Sequence, residues 1–319
     1  MRHVPCALCG ADAPVRYSRP TDHISGETFD VVRCRECRLV YVDPQPEPAE
    51  LPRYYPSVHQ QSEPAGYEKM DARPRAKLVG ALLGGRTGRV LDVGCGKGLL
   101  LAALRDAGWE VCGTELSEVS GRYARSRGIP VHQVPVEDAP LEDGSFDVVT
   151  LFHVLEHLTD PKHSLARIRA LLRPDGFLVV EVPNIGSWYA RAFGDIWFHY
   201  DVPRHLYHFD PATLRRMLET SGFAIERQTT RNLQYDAFGA VQSALNAVLR
   251  RRNLLNDFNT GEVAARDLLR GGQPVRDMGA LALSQVALGI GFPLLALAEV
   301  LASPWVDGGT LRCVARLKA

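Results

Sequence analysis

The chain has 319 residues, with 37 lysines and arginines against 37 aspartates and glutamates, so its formal net charge is zero, and 45% of it is hydrophobic. That length and apolar content are enough for one large domain with a full core and one or two small ones. The balanced charge, with no aromatic–basic stripe, excludes a general attraction to nucleic acid or to anionic membrane headgroups.

The first signal in chain order is a pair of C-x-x-C motifs, Cys6-Ala7-Leu8-Cys9 and Cys34-Arg35-Glu36-Cys37. Two such pairs are the ligand set of a four-thiolate, tetrahedral zinc site, which is closed and therefore structural. A redox pair and an iron–sulfur cluster are the alternatives. A disulfide reading is weaker, because Met1-Arg2-His3-Val4-Pro5 lacks the apolar core of a secretory signal and a cytoplasmic setting is expected. About forty residues cannot bury enough core to fold alone, so the metal would supply that stability. Val31-Val32 and Leu39-Val40-Tyr41-Val42 are expected to form a small ribbon around it. The run Asp43-Pro44-Gln45-Pro46-Glu47-Pro48 reads as a stiff linker. Residues 1–45 are thus a zinc-ribbon-like module and 46–85 a linker and helix.

From residue 86 the pattern changes to alternating strands and helices, which implies a parallel, doubly wound sheet covered on both faces. Arg89-Val90-Leu91-Asp92-Val93 reads as a strand that stops in the glycine turn Gly94-Cys95-Gly96-Lys97-Gly98, and Leu99–Leu104 starts a helix. A second strand runs from Glu110 to Leu116. Its closing acid, Glu115, lies about twenty residues past the turn, the separation at which an acid accepts hydrogen bonds from ribose hydroxyls. Ser117 caps a helix running to Gly128, Val131–Val136 is a third strand, and Phe146–Phe152 a fourth. Asp160-Pro161 opens a helix expected to end near Pro174-Asp175-Gly176, and Phe177–Val182 is a fifth strand.

These residues resemble the class I S-adenosylmethionine-dependent methyltransferases. The likeness covers roughly residues 86–232 and the last strand. It is carried by Leu91-Asp92-Val93-Gly94-Cys95-Gly96-Lys97-Gly98, Glu115, Asp143-Gly144-Ser145-Phe146-Asp147-Val148-Val149 and Leu172-Arg173-Pro174-Asp175-Gly176-Phe177. The resemblance implies that Asp92, Gly94, Cys95 and Gly96 hold the amino-acid end of S-adenosylmethionine, and that Glu115 and Leu116 hold its nucleoside. Many members carry an acid after the third strand near the adenine. Pro135 stands there in this chain, with Glu137 or Asp138 or a backbone amide as substitutes. Some sugar C-methyltransferases are similar in joining an N-terminal zinc module to this fold.

The fourth strand leads into His153-Val154-Leu155-Glu156-His157, expected to share one helical face at i, i+3 and i+4. Asp201-Val202-Pro203-Arg204-His205-Leu206-Tyr207-His208 adds further titratable groups. Three readings stand. One of His153, His157, His205 and His208 is a general base for the attacking acceptor, and His153 also borders the cofactor. Alternatively Glu156, His157 and His205 hold a divalent metal, with His153 beside them. Ubiquinone-pathway O-methyltransferases and small-RNA 2′-O-methyltransferases are similar in carrying an acid-x-x-Glu-His run here, although this chain has His153 at the first position. In the third reading the same residues cap and pack. Trp188, Tyr189, Phe193, Trp197, Phe198 and Tyr200 either wall a substrate pocket or fill a core.

Phe223–Thr230 and Thr310–Leu317 read as the antiparallel sixth and seventh strands, separated by a helical insert over residues 233–308. Within it, Met278–Ala302 is long and apolar enough to span a bilayer, but a crossing would part the last strand from its sheet. The readings are a buried helix, a homodimer contact, or a hairpin broken at Pro293 that touches the inner face of a membrane, with Arg250-Arg251-Arg252 meeting anionic lipid.

The expected fold is α/β: a doubly wound, Rossmann-like seven-stranded sheet with an N-terminal zinc ribbon, a core over 86–232, the insert over 233–308, and residues 309–319 as its last strand. The expected activity is methyl transfer from S-adenosylmethionine to an oxygen or carbon of a small-molecule acceptor: a lipid, quinone, polyketide or sugar, with a hydrophobic acceptor as one option. The alternative is a non-catalytic scaffold that binds S-adenosylmethionine and uses the ribbon for protein or nucleic-acid contacts.

Overall fold

The computed structural model describes residues 1–55, 66–249, 252–259, 263, 268, 273–302 and 307–318, with side chains of 66–70 and 298–302 outside that set. The expected contacts of Arg250 and Arg251 lie outside the described residues. The chain divides into two compact units, each discontinuous in sequence. One, the sheet unit, comprises His59–Val182, Ala212–Thr229 and Arg312–Ala319; the other, the cysteine unit, comprises Met1–Val58, Pro183–Pro211 and Thr230–Leu311.

The sheet unit carries seven strands in the order β10-β11-β8-β7-β4-β5-β6. These are β4 (Arg89–Val93), β5 (Glu110–Thr114), β6 (Val131–His132), β7 (Phe146–Phe152), β8 (Leu172–Pro183), β10 (Phe223–Thr229) and β11 (Thr310–Leu317). β4 pairs in parallel with both β5 and β7, and β10 pairs antiparallel with β11. The chain winds outward from β4 in one direction and then in the other, so the carboxyl end of β4 is the switch point where doubly wound sheets bind ligands. Val90–Val93 are buried without alternation, as expected of a strand covered on both faces. Helices α1 (Gly66–Leu82) and α2 (Leu99–Asp106) supply Val79, Leu100, Leu101 and Leu104 to a core shared with Val90, Val111, Val148 and Val179. Helices α3 (Glu118–Ser126), α4 (Pro161–Leu171) and α6 (Pro211–Thr220) complete the set. Ser117 and Asp160 cap α3 and α4 by accepting the N–H groups of Ser120 and His163.

The seven-stranded, Rossmann-like sheet matches the expected fold, and the limits of several elements differ. The third strand stops at His132. Residues Leu172–Asp175 are extended and belong to β8, where a turn after the helix was expected: Leu172 already pairs with Phe146, and a register shift then seats Phe177 opposite Val148. His153–His157 is not an α-helical face. β7 ends at Phe152, His153 turns with φ of 57°, and Leu155–His157 form one 3₁₀ turn. The following α-helix begins only at Pro161, where Asp160 supplies the cap.

The cysteine unit holds an antiparallel sheet, β1-β2-β3-β9, of β1 (Pro14–Ser18), β2 (Val31–Cys34), β3 (Val40–Val42) and β9 (Tyr207–His208). β2 and β3 lie where expected, while β1 and β9 were not expected. Phe29, Val31, Val40, Val42 and Tyr54 pack with Tyr189, Trp197 and Tyr200, so most of the aromatic run forms a core. Asp43 and Gln45 are buried, not a linker: the Asp43 carboxylate accepts the Val4 N–H (2.9 Å), and Gln45 exchanges backbone hydrogen bonds with Arg2. An extended proline-rich segment can pair as an edge where its prolines leave other N–H groups to bond.

Helices α5 (Trp188–Phe193), α7 (Leu233–Val248), α8 (Leu254–Asn259) and α9 (Pro274–Ala302) complete this unit. The apolar segment is one continuous helix with Pro293 inside it, so the hairpin expectation does not hold. The buried-helix expectation fails as well. Leu281 and Ser284 are buried, while Leu283, Val286, Ile290, Leu294 and Leu297 are exposed. The reason is that α9 lays one side along α7, where Ala287, Leu288 and Leu295 meet Val241 and Leu245, and no described element covers the other side. By length and composition α9 could cross a membrane.

Candidate functional site

The glycine turn after β4 is built for close approach. Gly94, Gly96 and Gly98 all have positive φ, between 53° and 70°. A Cβ at Gly94 would come within 2.6 Å of Val154, and one at Gly98 within 2.9 Å of Ala124, so both positions require glycine. A Cβ at Gly96 would meet nothing within 4 Å, which leaves that side of the turn open. Cys95 points the other way: its side chain lies in the apolar core, so only its backbone can face a ligand.

Glu115, just past β5, closes this cradle. Its carboxylate accepts the Gly96 N–H (2.8 Å) and the Ser117 N–H (2.7 Å). Burial pushes its pKa up, against the pull of those N–H groups. Leu116 beside it is 67% exposed, an apolar surface at the rim. Asp92, inside β4, accepts the Thr150 hydroxyl (2.6 Å). Burial raises its pKa to about 7, with Thr150 and Arg75 pulling the other way. A carboxylate fixed by backbone amides, an open glycine face and an exposed leucine fit the nucleoside of S-adenosylmethionine. Asp92 would meet the ammonium end. Bound there, the cofactor supplies a methyl group on a sulfonium leaving group. Glu137 accepts the hydroxyl of Ser164 in α4.

His153 sits at the carboxyl end of β7 within a buried ionic cluster that sequence reasoning missed. Its Nδ1 lies 3.5 Å from Glu156 and its Nε2 3.3 Å from Glu181. Glu181 in turn accepts Arg75 Nη2 (2.7 Å) and Arg312 Nε (2.6 Å), and Arg75 also pairs with Asp71 (3.1 Å). Three acids thus face three bases. Burial opposes the charge on His153, but Glu156 and Glu181 outweigh it and raise its pKa to about 9. Burial likewise opposes the charge on Glu181, and Arg75, His153 and Arg312 together hold it well below the carboxylate range. Glu181, an acid inside the run Phe177-Leu178-Val179-Val180-Glu181-Val182, was the available signal: a charge in a strand buried on both faces needs partners. His157 lies on the same 3₁₀ turn as Glu156, half-buried.

In the cysteine unit, His205 and His208 are buried near one another, with ring centroids 6.4 Å apart. His205 Nδ1 donates to the His199 carbonyl (2.9 Å), which places the proton on Nδ1 and makes Nε2 the basic nitrogen. The His208 ring packs 4.8 Å from that of Tyr200. Of the residues expected to share a divalent metal, Glu156 and His157 belong to the sheet unit and His205 to the cysteine unit.

Cys6, Cys9, Cys34 and Cys37 converge in that same unit, with all four sulfurs within 4.8 Å of one another. Cys6–Cys37 and Cys9–Cys34 are 3.3 and 3.6 Å apart. Zinc–sulfur bonds of about 2.3 Å in a tetrahedron put sulfurs roughly 3.8 Å apart, so the cluster fits that ion. Burial pushes the Cys6 and Cys37 thiols up, which disfavours thiolates unless a cation offsets it. Burial acts on Cys34 too, yet the N–H groups of Cys37 and Glu36 hold its pKa below the ordinary value, as ligand-turn amides would.

A doubly wound sheet with a glycine cradle and a ribose-type acid at its switch point defines the nucleoside site of a class I methyltransferase. Comparison with known proteins agrees: residues 59–228, more than half of the chain, match the family model described as a methyltransferase domain. The chain belongs to the S-adenosylmethionine-dependent methyltransferase family. It is 38% identical over 115 residues to the ubiquinone biosynthesis O-methyltransferase of Bordetella avium, covering 34% of this chain and 46% of that one. It is 32% identical over 168 residues to the protein of the same name from Bordetella bronchiseptica, covering 49% and 69%. The chain spans about half the length of several of these curated relatives. Among solved structures it is similar to a SAM-dependent methyltransferase from Archaeoglobus fulgidus, at 19% identity and a TM-score of 0.49, over 79% of this chain and 94% of that one.

Proposed function

We propose that the protein transfers a methyl group from S-adenosylmethionine to an oxygen of a small, quinone-type phenolic acceptor. The carrying observation is the Gly96–Glu115–Ser117 cradle at the end of β4. The acceptor class is taken from the named activity of the relatives. Asp92, Gly94, Gly96, Glu115 and Leu116 hold the cofactor in this reading. His153, fixed as a cation between Glu156 and Glu181, acts through its charge, so the proton acceptor is sought in His157, His205 and His208. Cys6, Cys9, Cys34 and Cys37 hold a structural zinc ion. The exposed apolar side of α9 is assigned to contact with a lipid surface or a second copy of the chain, which vesicle flotation and light scattering distinguish.

The test is calorimetric titration of S-adenosylmethionine and S-adenosylhomocysteine, followed by radiolabelled methyl transfer to a panel of catechols, demethylated quinols and sugars. Micromolar cofactor binding with label on a phenolic oxygen is expected. Absence of cofactor binding would sink the reading, and label on carbon or on a sugar would move the acceptor class.

A further inference from the structure

The cysteine cluster is joined through one sheet to the histidine segment 199–209. Cys34 is the last residue of β2. The turn after it closes on the cluster, with the Cys34 N–H donating to the Leu39 carbonyl (2.9 Å) and the Arg38 N–H to the Cys34 carbonyl (3.0 Å). β3 begins at Val40, three residues past Cys37, and is three residues long. It pairs with β2 on one side and with β9 on the other, Val40 opposite His208 and Tyr41 opposite Tyr207. The Val42 N–H donates to the Leu206 carbonyl (2.9 Å).

Other ties between the same stretches lie nearby. The Tyr200 and Ser18 hydroxyls are hydrogen-bonded. Arg204 donates from Nη1 to the Tyr54 carbonyl (2.8 Å) and from Nη2 to Asp22 (2.9 Å). His205 thus lies between Arg204 and Leu206, both of which bond residues from the first 54 of the chain, while its own N–H donates to the Asp201 carbonyl (2.9 Å). A two-residue strand on a three-residue strand has little stability of its own. On one side its register follows β3, which starts at the cluster; on the other the Ile185 N–H donates to the Phe209 carbonyl (2.9 Å).

We propose that a zinc ion on Cys6, Cys9, Cys34 and Cys37 is a positioning device: by fixing the turn into β3 it sets the register of β9 and so the placement of His205 and His208. This rests on the zinc reading above and adds a role for the ion. The ion is not a catalytic group here, because four thiolates close its coordination. It acts only through the strand it anchors.

The experiment uses the full chain. Zinc content is measured on the purified protein, the metal is stripped with an organomercurial and a chelator, and backbone hydrogen exchange is followed by mass spectrometry before stripping, after it, and after reloading with cadmium. Amides of residues 199–209 should exchange at least tenfold faster on stripping and recover with cadmium. Peptides covering 89–115 should be unchanged, and the affinity for S-adenosylhomocysteine should stay within twofold. The reciprocal measurement does not require the stripped protein to stay soluble. Val42→Pro removes the N–H that bonds Leu206 and leaves the cysteines intact, so zinc affinity by chelator competition should fall severalfold. Zinc present, with residues 199–209 indifferent to its removal and zinc affinity unchanged in Val42→Pro, would overturn the coupling and leave the zinc reading standing. A purified protein that neither contains nor takes up zinc would overturn both.

Discussion

The two units are held together by different physics. In the sheet unit every strand but the two-residue β6 is five to twelve residues long, β4, β7 and β8 bury near-continuous apolar runs, and helices seal both faces. Much of its buried charge lies at the carboxyl ends of β4, β7 and β8, where Asp92, His153 and Glu181 are matched by Thr150, Glu156, Arg75 and Arg312. In the cysteine unit the strands are five residues or fewer, and much of the interior is polar. Arg204 is buried against Asp22 and Asp201, while Asn246, Asn253 and Gln242 bond one another or neighbouring backbone. A core that is apolar and continuous sustains itself, whereas one made of short strands and polar networks depends on every bond being made, and on the cysteine cluster.

That contrast can be broken, most forcefully by stripping the zinc ion proposed for the cysteine cluster. Structural zinc in small modules carries about 10 kcal/mol or more, so stripping it should unfold the four-stranded sheet while the sheet unit keeps its far-ultraviolet circular dichroism. A single cooperative loss of both units in calorimetry would mean that they are not separately stable. Next in size is Glu181→Gln. It leaves the half-buried Arg75 and Arg312 without their shared, fully buried carboxylate and should cost about 2–4 kcal/mol in urea denaturation. A loss under ~1 kcal/mol would show that the cluster is solvated.

Glu115→Ala removes the acid of the cradle without opening the core. It should weaken S-adenosylhomocysteine binding roughly 10–100-fold by calorimetry, since bonds to a charged group carry ~1.5–3 kcal/mol. Its effect on stability should be small by comparison. Asp92 sharpens the picture through pH. Its pKa is raised to about 7 in the folded protein from the ordinary 3.8, so the folded state binds the extra proton. Its contribution to stability is therefore greatest at acid pH and declines as pH rises between about 4 and 7. Asp92→Asn should flatten that part of the stability profile measured by thermal denaturation. It should also abolish the rise in cofactor affinity expected as the carboxylate ionises toward pH 8. The smallest effect is Leu116→Ala, which trims an exposed apolar contact and should cost only a few-fold in cofactor affinity.

Legibility followed locality of chemistry and not the boundary between the units. Strand, glycine turn and acid could be read from residues 89–115 because their chemistry is local: a β-branched run, three glycines at positive φ and an acid at the next strand end. The C-x-x-C pairs were legible for the same reason. Glu181 was visible only as an acid in an apolar run, and its partners Arg75 and Arg312 come from opposite ends of the unit's sequence. β9 could not be found from pattern at all, since two residues show no periodicity and their partner lies in the first ribbon. Pro293 was read as a break, yet a long apolar helix absorbs one lost hydrogen bond. The His153–His157 spacing suggested a helical face, but the first α-helical cap lies at Asp160.

The pairing of β3 with β9 also bears on how the protein is made. The cysteine motifs and three strands of their sheet leave the ribosome early, but the fourth strand, Tyr207–His208, follows about 165 residues after Val42 (207 − 42). At translation rates of ~5–20 residues per second the nascent ribbon waits roughly 10–30 s with an edge unpaired. If the proposed zinc ion is captured during that interval, it holds the register open for a partner not yet synthesised, and zinc supply during synthesis, not only afterwards, should then be a determinant of yield.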